Sequence, residues 1–226
     1  KAYTTRNGDI VCFRPDQNAE RMYNSAKRIC MPPFPKDRFV KAVEEVVKAA
    51  VDTFGSIDVI VNNGQAIVPS SPVEDTTYEN MLAAWESGTI GSLNYMQAAF
   101  PYMKEQGEGR IINFASATGM FGIAGQLAYG SNKEALRGLT KIAAKEWGQY
   151  GICVNVVLPG AESPAAKAWA EKFPEEYKKQ VMLNPMHRFG DPEGDIAPVV
   201  AFLAGPDSCY YSGQSVIVDG ANSIMP

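Results

Sequence analysis

The feature of the sequence that most restricts its fold is a repeated alternation of short apolar runs with longer helical patterns. The run IDVIVNN follows a helical stripe over Lys36 to Phe54, which Gly55 ends, and RIINFA follows a helical stretch from Tyr78 to Gln106. Helical segments over Leu127 to Tyr150 and Asp195 to Leu203 precede the runs ICVNVVLPG and SVIVDG. Such alternation is typical of βαβ units with right-handed crossovers. It predicts an α/β fold, a doubly wound parallel sheet with helices on both faces, in one domain over residues 1–226.

Composition and charge argue against several classes of protein. The 226 residues are 46% hydrophobic and 20% charged, with a net charge of −4 and a pI near 5.2. An acidic chain without a basic run is not expected to bind nucleic acid. No apolar segment approaches the roughly 20 residues that cross a bilayer, and the first residues lack the apolar run of a secretory signal. We therefore expect a cytoplasmic protein that does not bind membranes.

Cysteine and histidine are too few and too scattered to predict a metal centre. The single histidine is His187, and the four cysteines, which form no CxxC pair, are Cys12, Cys30, Cys153 and Cys209. In a chain of this length we interpret the cysteines as reduced thiols, neither a disulfide framework nor metal ligands. The sequence therefore predicts no metal cofactor.

Small or polar residues follow three of the predicted strands. They are Asn62, Asn63 and Gly64, then Ser116 to Gly119, then Pro159 and Gly160. Each segment alone is typical of a tight turn. Ligands of doubly wound sheets, however, bind beyond the carboxyl ends of the strands. Three such segments at matching strand ends therefore predict a binding site.

The segment YGSNK places Tyr129 and Lys133 one helical turn apart, thirteen residues after Ser116. Positions i and i+4 share a face of a helix, so the phenol and the amine can meet. A pair with this spacing is commonly a solvated surface, but here it follows a strand-end serine and a glycine-rich loop. A phenol of pKa about 10 is a poor acid–base catalyst at neutral pH unless its phenolate is stabilised. We therefore expect Lys133 to depress the pKa of Tyr129.

Together these motifs resemble the short-chain dehydrogenase/reductase (SDR) family. The matching segments are Asn62 to Gly64, RIINFAS, YGSNK, VNVVLPG, the RFGDPEGDIA turn and helix, and SGQSVIVDGA. The resemblance implies a Rossmann-like fold and an oxidoreductase that transfers hydride between NAD or NADP and a small-molecule carbonyl or secondary alcohol. It also implies a homotetramer built through two long helices and the C-terminal strand.

The resemblance implies a role for particular side chains. Ser116 orients the substrate oxygen, Tyr129 donates or accepts the proton, and Lys133 binds the nicotinamide ribose and tunes Tyr129. The substrate is also expected to contact Gln126 and Trp169. Further nucleotide contacts are expected at Asn62, Asn63, Gly64, Pro159, Gly160 and Arg6.

Nucleotide choice depends on the end of the second strand of such a fold. An acidic residue there accepts the ribose hydroxyls of NAD, and an arginine favours the phosphate of NADP. Either KAYTTRN or GDIVCFRPD is a candidate for this strand, and they offer Arg6 and Arg14. The sequence favours NADP over NAD.

The glycine motif TGxxxGxG, which receives the pyrophosphate in the family, does not occur in these 226 residues. Either the first strand and this loop belong to residues missing before Lys1 or near Arg6 to Gly8, or the protein lacks the loop, as do cofactor-free relatives that resemble halohydrin dehalogenases. We favour missing residues, since those relatives carry arginine where this chain has Lys133. A cofactor-free lyase and a non-catalytic Rossmann-type binding protein are the alternative functions.

Three further positions depart from the family pattern. Gly88 stands where the family has a catalytic asparagine, so either Ser87 substitutes or the proton relay runs differently; close helix packing is the structural explanation of this glycine. The alanine of the family's NNAG segment is lost, so that Gln65 follows Asn62, Asn63 and Gly64; we expect this loop still to lie under the adenosine, with an altered role for Gln65. Pro164 replaces a threonine that contacts the carboxamide, and Ser163 is the candidate to take over that contact.

A segment of about 161–190 corresponds to the substrate lid of the family. Its helical part, Ala165 to Met186, predicts one apolar side formed by Trp169, Phe173, Tyr177 and Met182. An aromatic lining suits an apolar or ring-bearing substrate, although a helix that faces the core has the same pattern. We interpret His187 as structural or lid-associated rather than catalytic.

Overall fold

A computed structural model of the chain describes residues 2–4, 10–12 and 36–224. In these residues the strands are β1 (Ala2–Thr4), β2 (Ile10–Cys12), β3 (Val59–Asn62), β4 (Gly109–Phe114), β5 (Ile152–Pro159) and β6 (Ser215–Val218). The last four form one sheet in the order β3-β4-β5-β6, and every neighbouring pair is parallel. The α/β prediction is therefore confirmed.

Eight α-helices lie in the described part of the chain. They are α1 (Lys36–Phe54), α2 (Tyr78–Trp85), α3 (Gly91–Gln106), α4 (Ala117–Phe121), α5 (Leu127–Trp147), α6 (Pro164–Lys172), α7 (Pro174–Leu183) and α8 (Ala197–Ala204). A π-helical turn, Glu86–Ile90, joins α2 to α3. Gly55 and Gly107 adopt left-handed backbone conformations after α1 and α3, which glycine tolerates without a Cβ clash.

The helices cover both faces of the sheet. On one face, α1, α3 and α5 bury Val47, Met96 and Ala143 against Ile111 and Val154. On the other face, Leu203 of α8 packs against Ile112 and Val157. Full burial of each valine, isoleucine, leucine or methionine side chain in these two clusters contributes about 1.5–3 kcal/mol. The sheet is thus buried on both sides, as its continuous apolar strands predict.

The strands β1 and β2 pair with each other in an antiparallel ladder. The prediction that one of them is the second strand of the parallel sheet is therefore wrong in this structure. The residues that bear on nucleotide choice and on the glycine loop, Arg6, Gly8 and Arg14, lie outside the described residues.

The segment predicted as one helix from Ala165 to Met186 consists of two, α6 and α7. The break falls at Phe173, whose φ of −137° and ψ of 66° are not helical, and Pro174 begins α7. A proline fits the first turn of a helix, because its missing N–H has no intrahelical partner there. Among the four predicted apolar residues, Trp169 and Tyr177 pack together, whereas Phe173 and Met182 are exposed.

None of the helices in the described residues is long and apolar enough to cross a membrane.

Candidate active site

The side chains of Ser116 and Tyr129 share a hydrogen bond. They come together because α4, which follows β4, packs directly on α5. The Ser116 hydroxyl caps α4 by accepting a hydrogen bond from the N–H of Thr118 at 3.2 Å. A Cβ on Gly119 would lie 2.7 Å from the carbonyl oxygen of Gly130, so only glycine permits this approach. Tyr129 lies in the first turn of α5, beside Gly130.

The Tyr129 phenol is held in its protonated form by its surroundings. Burial raises the pKa of Tyr129, and a side-chain hydrogen bond with Ser116 lowers it by a smaller amount. Lys133 lies with its Nζ 5.6 Å from the centre of the Tyr129 ring. The prediction that Lys133 depresses the pKa of Tyr129 is therefore wrong in this structure, because the pKa is raised by burial, and the hydrogen bond that lowers it comes from Ser116 and not from Lys133.

Lys133 is a buried amine, with only 5% of the residue exposed. Its Nζ donates a hydrogen bond to the carbonyl oxygen of Phe114, the last residue of β4, at 2.6 Å. Burial lowers the pKa of Lys133 to about 8, since the charged form is poorly solvated there. The amine is consequently poised to gain or lose a proton close to neutral pH.

An amide from α5 occupies the space beside Gly88. A Cβ on Gly88 would lie 2.2 Å from Nδ2 of Asn132, which is completely buried. Asn132 Oδ1 accepts hydrogen bonds from Thr89 N–H at 2.9 Å and from the Thr89 hydroxyl at 2.7 Å, and Nδ2 donates to Gln65 Oε1 at 2.9 Å. This contact agrees with close helix packing as the reason for a glycine at position 88.

Ser87, the predicted substitute for the missing asparagine, has other partners. Its hydroxyl donates to the carbonyl oxygen of Ala83 at 2.6 Å and accepts from the N–H of Ala66 at 3.0 Å. Ser87 therefore fastens the loop after β3 to α2, and the amide next to Lys133 comes from Asn132.

The loop after β3 is anchored through a chain of buried amides. Asn62 donates to Asn113 Oδ1 at 2.9 Å, and Asn113 donates to the Thr140 hydroxyl at 2.9 Å. Asn62 and Gly64 also line a cavity of about 90 Å³ beside β3. Asn63 follows Asn62 directly and is half-buried. The predicted segment thus lies at the carboxyl edge of the sheet, as expected.

Pro159 and Gly160 lie at the same edge, where the two ends of segment 161–190 meet. Gly160 N–H donates to Val218 O at 2.8 Å, and Gly190 N–H donates to Gly160 O at 2.8 Å. A Cβ on Gly160 would lie 2.6 Å from that of Asp219, so glycine is required here. Ala161 and Gly190 form an isolated bridge that closes the segment at its base.

The side chains predicted to meet the substrate have partners of their own. Gln126 donates to the Ser70 hydroxyl at 2.6 Å, which joins the start of α5 to the loop after β3. Trp169 packs edge-on against Tyr177, which also contacts Phe189 and donates to Glu162 at 2.6 Å. This hydrogen bond raises the pKa of Tyr177 to about 12.

Ser163 accepts a hydrogen bond from the N–H of Ala166 at 3.2 Å and so caps α6. His187 has a positive φ of 51° and donates its N–H to Asn184 O at 2.8 Å, at the end of the same segment. These contacts make both residues part of the framework of segment 161–190.

The donors at this edge suit a nicotinamide nucleotide. Lys133 has three N–H donors, and Phe114 O accepts from its amine. The amine lies at the carboxyl end of β4, 5.6 Å from the centre of the Tyr129 ring, where a ribose diol can accept a hydrogen bond from the amine and bond to the Tyr129 hydroxyl. The residues present therefore fit the ribose end of the nucleotide. Sequence reasoning passed over Asn132, although it stands directly before Lys133 in YGSNK.

Several known proteins resemble this chain in sequence. A family model described as enoyl-(acyl carrier protein) reductase matches residues 38–221. A 12α-hydroxysteroid dehydrogenase from a Clostridium species is 37% identical over 211 residues, which cover 93% of this chain and 81% of that protein.

Two solved structures have the same fold. Levodione reductase superposes with a TM-score of 0.75 and 31% identity, over 80% of this chain and 72% of that one. A variant of ElxO with NADPH bound gives a TM-score of 0.76 and 28% identity, over 81% and 74%. The chain belongs to the short-chain dehydrogenase/reductase family. It is an NAD(P)-dependent oxidoreductase that interconverts carbonyl and alcohol groups.

Proposed function

We propose that Ser116, Tyr129 and Lys133 catalyse hydride transfer between NADP(H) and a ring-bearing secondary alcohol or ketone. The observation that carries the proposal is the convergence of these three side chains beyond the end of β4, where two of them have pKa values altered by burial. The bound nicotinamide supplies or accepts the hydride. The residues of the chain position the substrate oxygen and move the proton.

Tyr129 is the proton donor when a ketone is reduced. Its raised pKa keeps the phenol protonated at neutral pH, so the proton is available at the hydroxyl when negative charge develops on the substrate oxygen. Ser116 donates a second hydrogen bond to that oxygen and shares it with Tyr129. In the oxidative direction the phenolate accepts the proton, and the hydrogen bond from Ser116 stabilises it.

Lys133 binds the ribose hydroxyls from its fixed position on Phe114 O. The loop from Asn62 to Gly64 and the turn at Pro159 and Gly160 provide the flanking contacts, since both lie at the same edge of the sheet. We also propose that Arg6 favours NADP over NAD by binding its phosphate.

The substrate class follows from segment 161–190, which we propose as the lid of a single-domain enzyme. Trp169, Tyr177 and Phe189 form a continuous aromatic cluster in it, with ring centres 5.8 and 5.4 Å apart. Aromatic side chains favour apolar ligands with flat rings. The similarity to a hydroxysteroid dehydrogenase supports a steroid as the probe to test first. Trp169 and Gln126 are the proposed substrate contacts.

A homotetramer and a cytoplasmic location complete the proposal, both on the strength of the family resemblance. The exposed apolar side chain of Ile142 on the long helix α5 supports an interface on that helix. Light scattering tests the assembly, and a monomer would contradict it.

The function is tested by nucleotide binding and turnover of the full chain. Titration with NADPH and NADH, followed by nucleotide fluorescence, should show binding that is tighter for NADPH. Oxidation of a 12α-hydroxysteroid with NADP⁺ should then produce NADPH, measured by its absorbance. Indifference to both nucleotides would refute the proposal and favour the cofactor-free lyase.

A further inference from the structure

We infer that Asn132 is a positioning residue whose amide fixes Lys133 by joining α5 to the π-helical turn at Thr89 and to Gln65. This inference rests on the proposed function, because it concerns the side chain proposed to bind the nucleotide ribose.

The first observation is that the Asn132 amide is fully engaged in the interior. Its residue exposure is 0%, and both of its polar atoms have partners on other segments. The Thr89 hydroxyl bonds to Oδ1 at 2.7 Å and to the backbone carbonyl of Asn132 at 3.2 Å. A buried amide without such partners would destabilise the folded protein. The surroundings therefore select an amide at this position and define its orientation.

The second observation is the location of these bonds along the chain. Thr89 lies 43 residues away from Asn132, and Gln65 lies 67 residues away. The amide therefore ties three distant segments together at the residue immediately before Lys133. Lys133 is fixed on its other side by the bond from Nζ to Phe114 O. Its backbone and its amine thus each have a separate anchor.

The third observation is that Gly88 and Asn132 fit together as a pair. The amide fills the volume that any side chain at position 88 would need, with Nδ2, Oδ1 and Cγ within 2.2–2.8 Å of a Cβ built there. The glycine makes room in the π-helical turn, and the amide supplies the polar atoms that fill it. A methyl group at position 88 would push the amide out without any change at position 132.

This arrangement gives Asn132 a measurable effect on nucleotide binding. Loss of the amide frees the turn of α5 that carries Lys133, so its amine no longer meets the ribose in a fixed position. Misplacement of a binding or catalytic group by about 1 Å can cost roughly 100-fold in rate. We expect a 10- to 100-fold loss in turnover and a rise of at least threefold in the Kd for NADPH.

The experiment compares Asn132→Ala with Asn155→Ala in the full chain. Asn155 is 1% exposed and also has both polar atoms bonded, donating to Tyr211 O at 2.6 Å and accepting from Gln214 N–H at 3.1 Å. Both partners come from the segment just before β6, whereas the partners of Asn132 are Thr89 and Gln65. Both variants should lower the melting temperature, but only Asn132→Ala should weaken NADPH binding, measured by fluorescence titration.

Variants at position 88 make the test independent of residue 132. Gly88→Ala should reproduce the binding defect, and its effect should not add to that of Asn132→Ala, because both remove the same amide contacts. The exchange variant Gly88→Asn with Asn132→Ala returns an amide to the same volume and should recover part of the affinity. If Asn132→Ala fails to fold, Asn132→Ser is judged by the same threefold criterion.

The outcomes separate this inference from the proposed function. A Kd for NADPH within threefold of wild type in Asn132→Ala, or additive effects of Gly88→Ala and Asn132→Ala, would overturn the positioning role. Binding of neither nucleotide by the wild type would overturn both. Loss of turnover in Tyr129→Phe together with normal behaviour of Asn132→Ala would leave the function standing and reject this inference alone.

Discussion

Lys133 donates a hydrogen bond from Nζ to the carbonyl oxygen of Phe114 across 2.6 Å, so the amine is held by the end of β4 and not by the phenol one turn away. The consequence is a division of roles within YGSNK. Burial and Ser116 set the proton affinity of Tyr129, whereas the sheet sets the position of Lys133. Substitutions at the two residues should therefore have different signatures.

Tyr129→Phe removes the proton donor and leaves the shape of the site unchanged. Turnover of the proposed steroid probe should fall by roughly 100- to 10,000-fold, the usual contribution of general acid–base catalysis. The Kd for NADPH should stay within about threefold, since Lys133 still binds the ribose. Tyr210→Phe is the matched control, because Tyr210 is fully exposed and its loss should change neither value. Unchanged turnover in Tyr129→Phe would refute the role of Tyr129.

Lys133→Met should change how stability depends on pH. In the folded protein the pKa of Lys133 is lowered from 10.5 to about 8, so between these values the unfolded chain binds more protons than the folded one. Below pH 8 the burial of the charged amine lowers the free energy of unfolding by its full amount. As pH rises through this window that penalty disappears, so the free energy of unfolding increases by about 3 kcal/mol in all.

The measurement is urea unfolding of wild type and Lys133→Met at pH 7 and at pH 10. The free energy of unfolding of the wild type, minus that of Lys133→Met, should be larger at pH 10 than at pH 7. A difference between the two proteins that does not change with pH would contradict the lowered pKa.

The sequence was sufficient for most of the fold because its signals are local. The apolar run RIINFA lies almost entirely within β4, and Gly55 ends α1 through its own backbone conformation. The break at Phe173 was missed because apolar residues at helical spacing continue through it, although Pro174 is well suited to begin a second helix. The spacing of the apolar residues predicts one continuous helix, whereas the backbone preference of Pro174 favours a new helix, and the structure follows the proline.

The site could be predicted only as far as the motif reaches. Ser116, Tyr129 and Lys133 share one motif, but the pKa of Tyr129 depends on how deeply other segments bury it, which spacing does not reveal. The contact between Gly88 and Asn132 joins positions 44 residues apart in sequence and depends on how the π-helical turn packs on α5. Tertiary contacts of this kind override the expectation from any single segment.

Ser116→Ala should shift the pH dependence of alcohol oxidation. The hydrogen bond from Ser116 lowers the pKa of Tyr129, so its loss raises that pKa further above its ordinary value. Oxidation needs the phenolate, and its rate rises as pH passes upward through the pKa of Tyr129. The rising limb of kcat/KM against pH should therefore move to higher pH in Ser116→Ala, along with a lower maximum. A limb that moves to lower pH would contradict the assigned hydrogen bond.

Gly119→Ala and Gly138→Ala should have opposite effects on stability, although both place a methyl group in a helix. At Gly119 the new Cβ would lie 2.7 Å from Gly130 O and 2.8 Å from Glu134 N, both backbone atoms that cannot turn away. At Gly138, in the interior of α5, the same Cβ meets no atom of the described residues within 4 Å.

Gly119→Ala should therefore separate α4 from α5, lower the free energy of unfolding by about 1–3 kcal/mol and reduce turnover, because Ser116 and Tyr129 are carried by these two helices. Gly138→Ala should raise the free energy of unfolding by about 0.5–1 kcal/mol, through the better helix propensity of alanine, and leave turnover unchanged. Urea unfolding with a parallel activity assay checks both. Equal stability of the two variants would show that the close approach of α4 and α5 does not restrict residue 119.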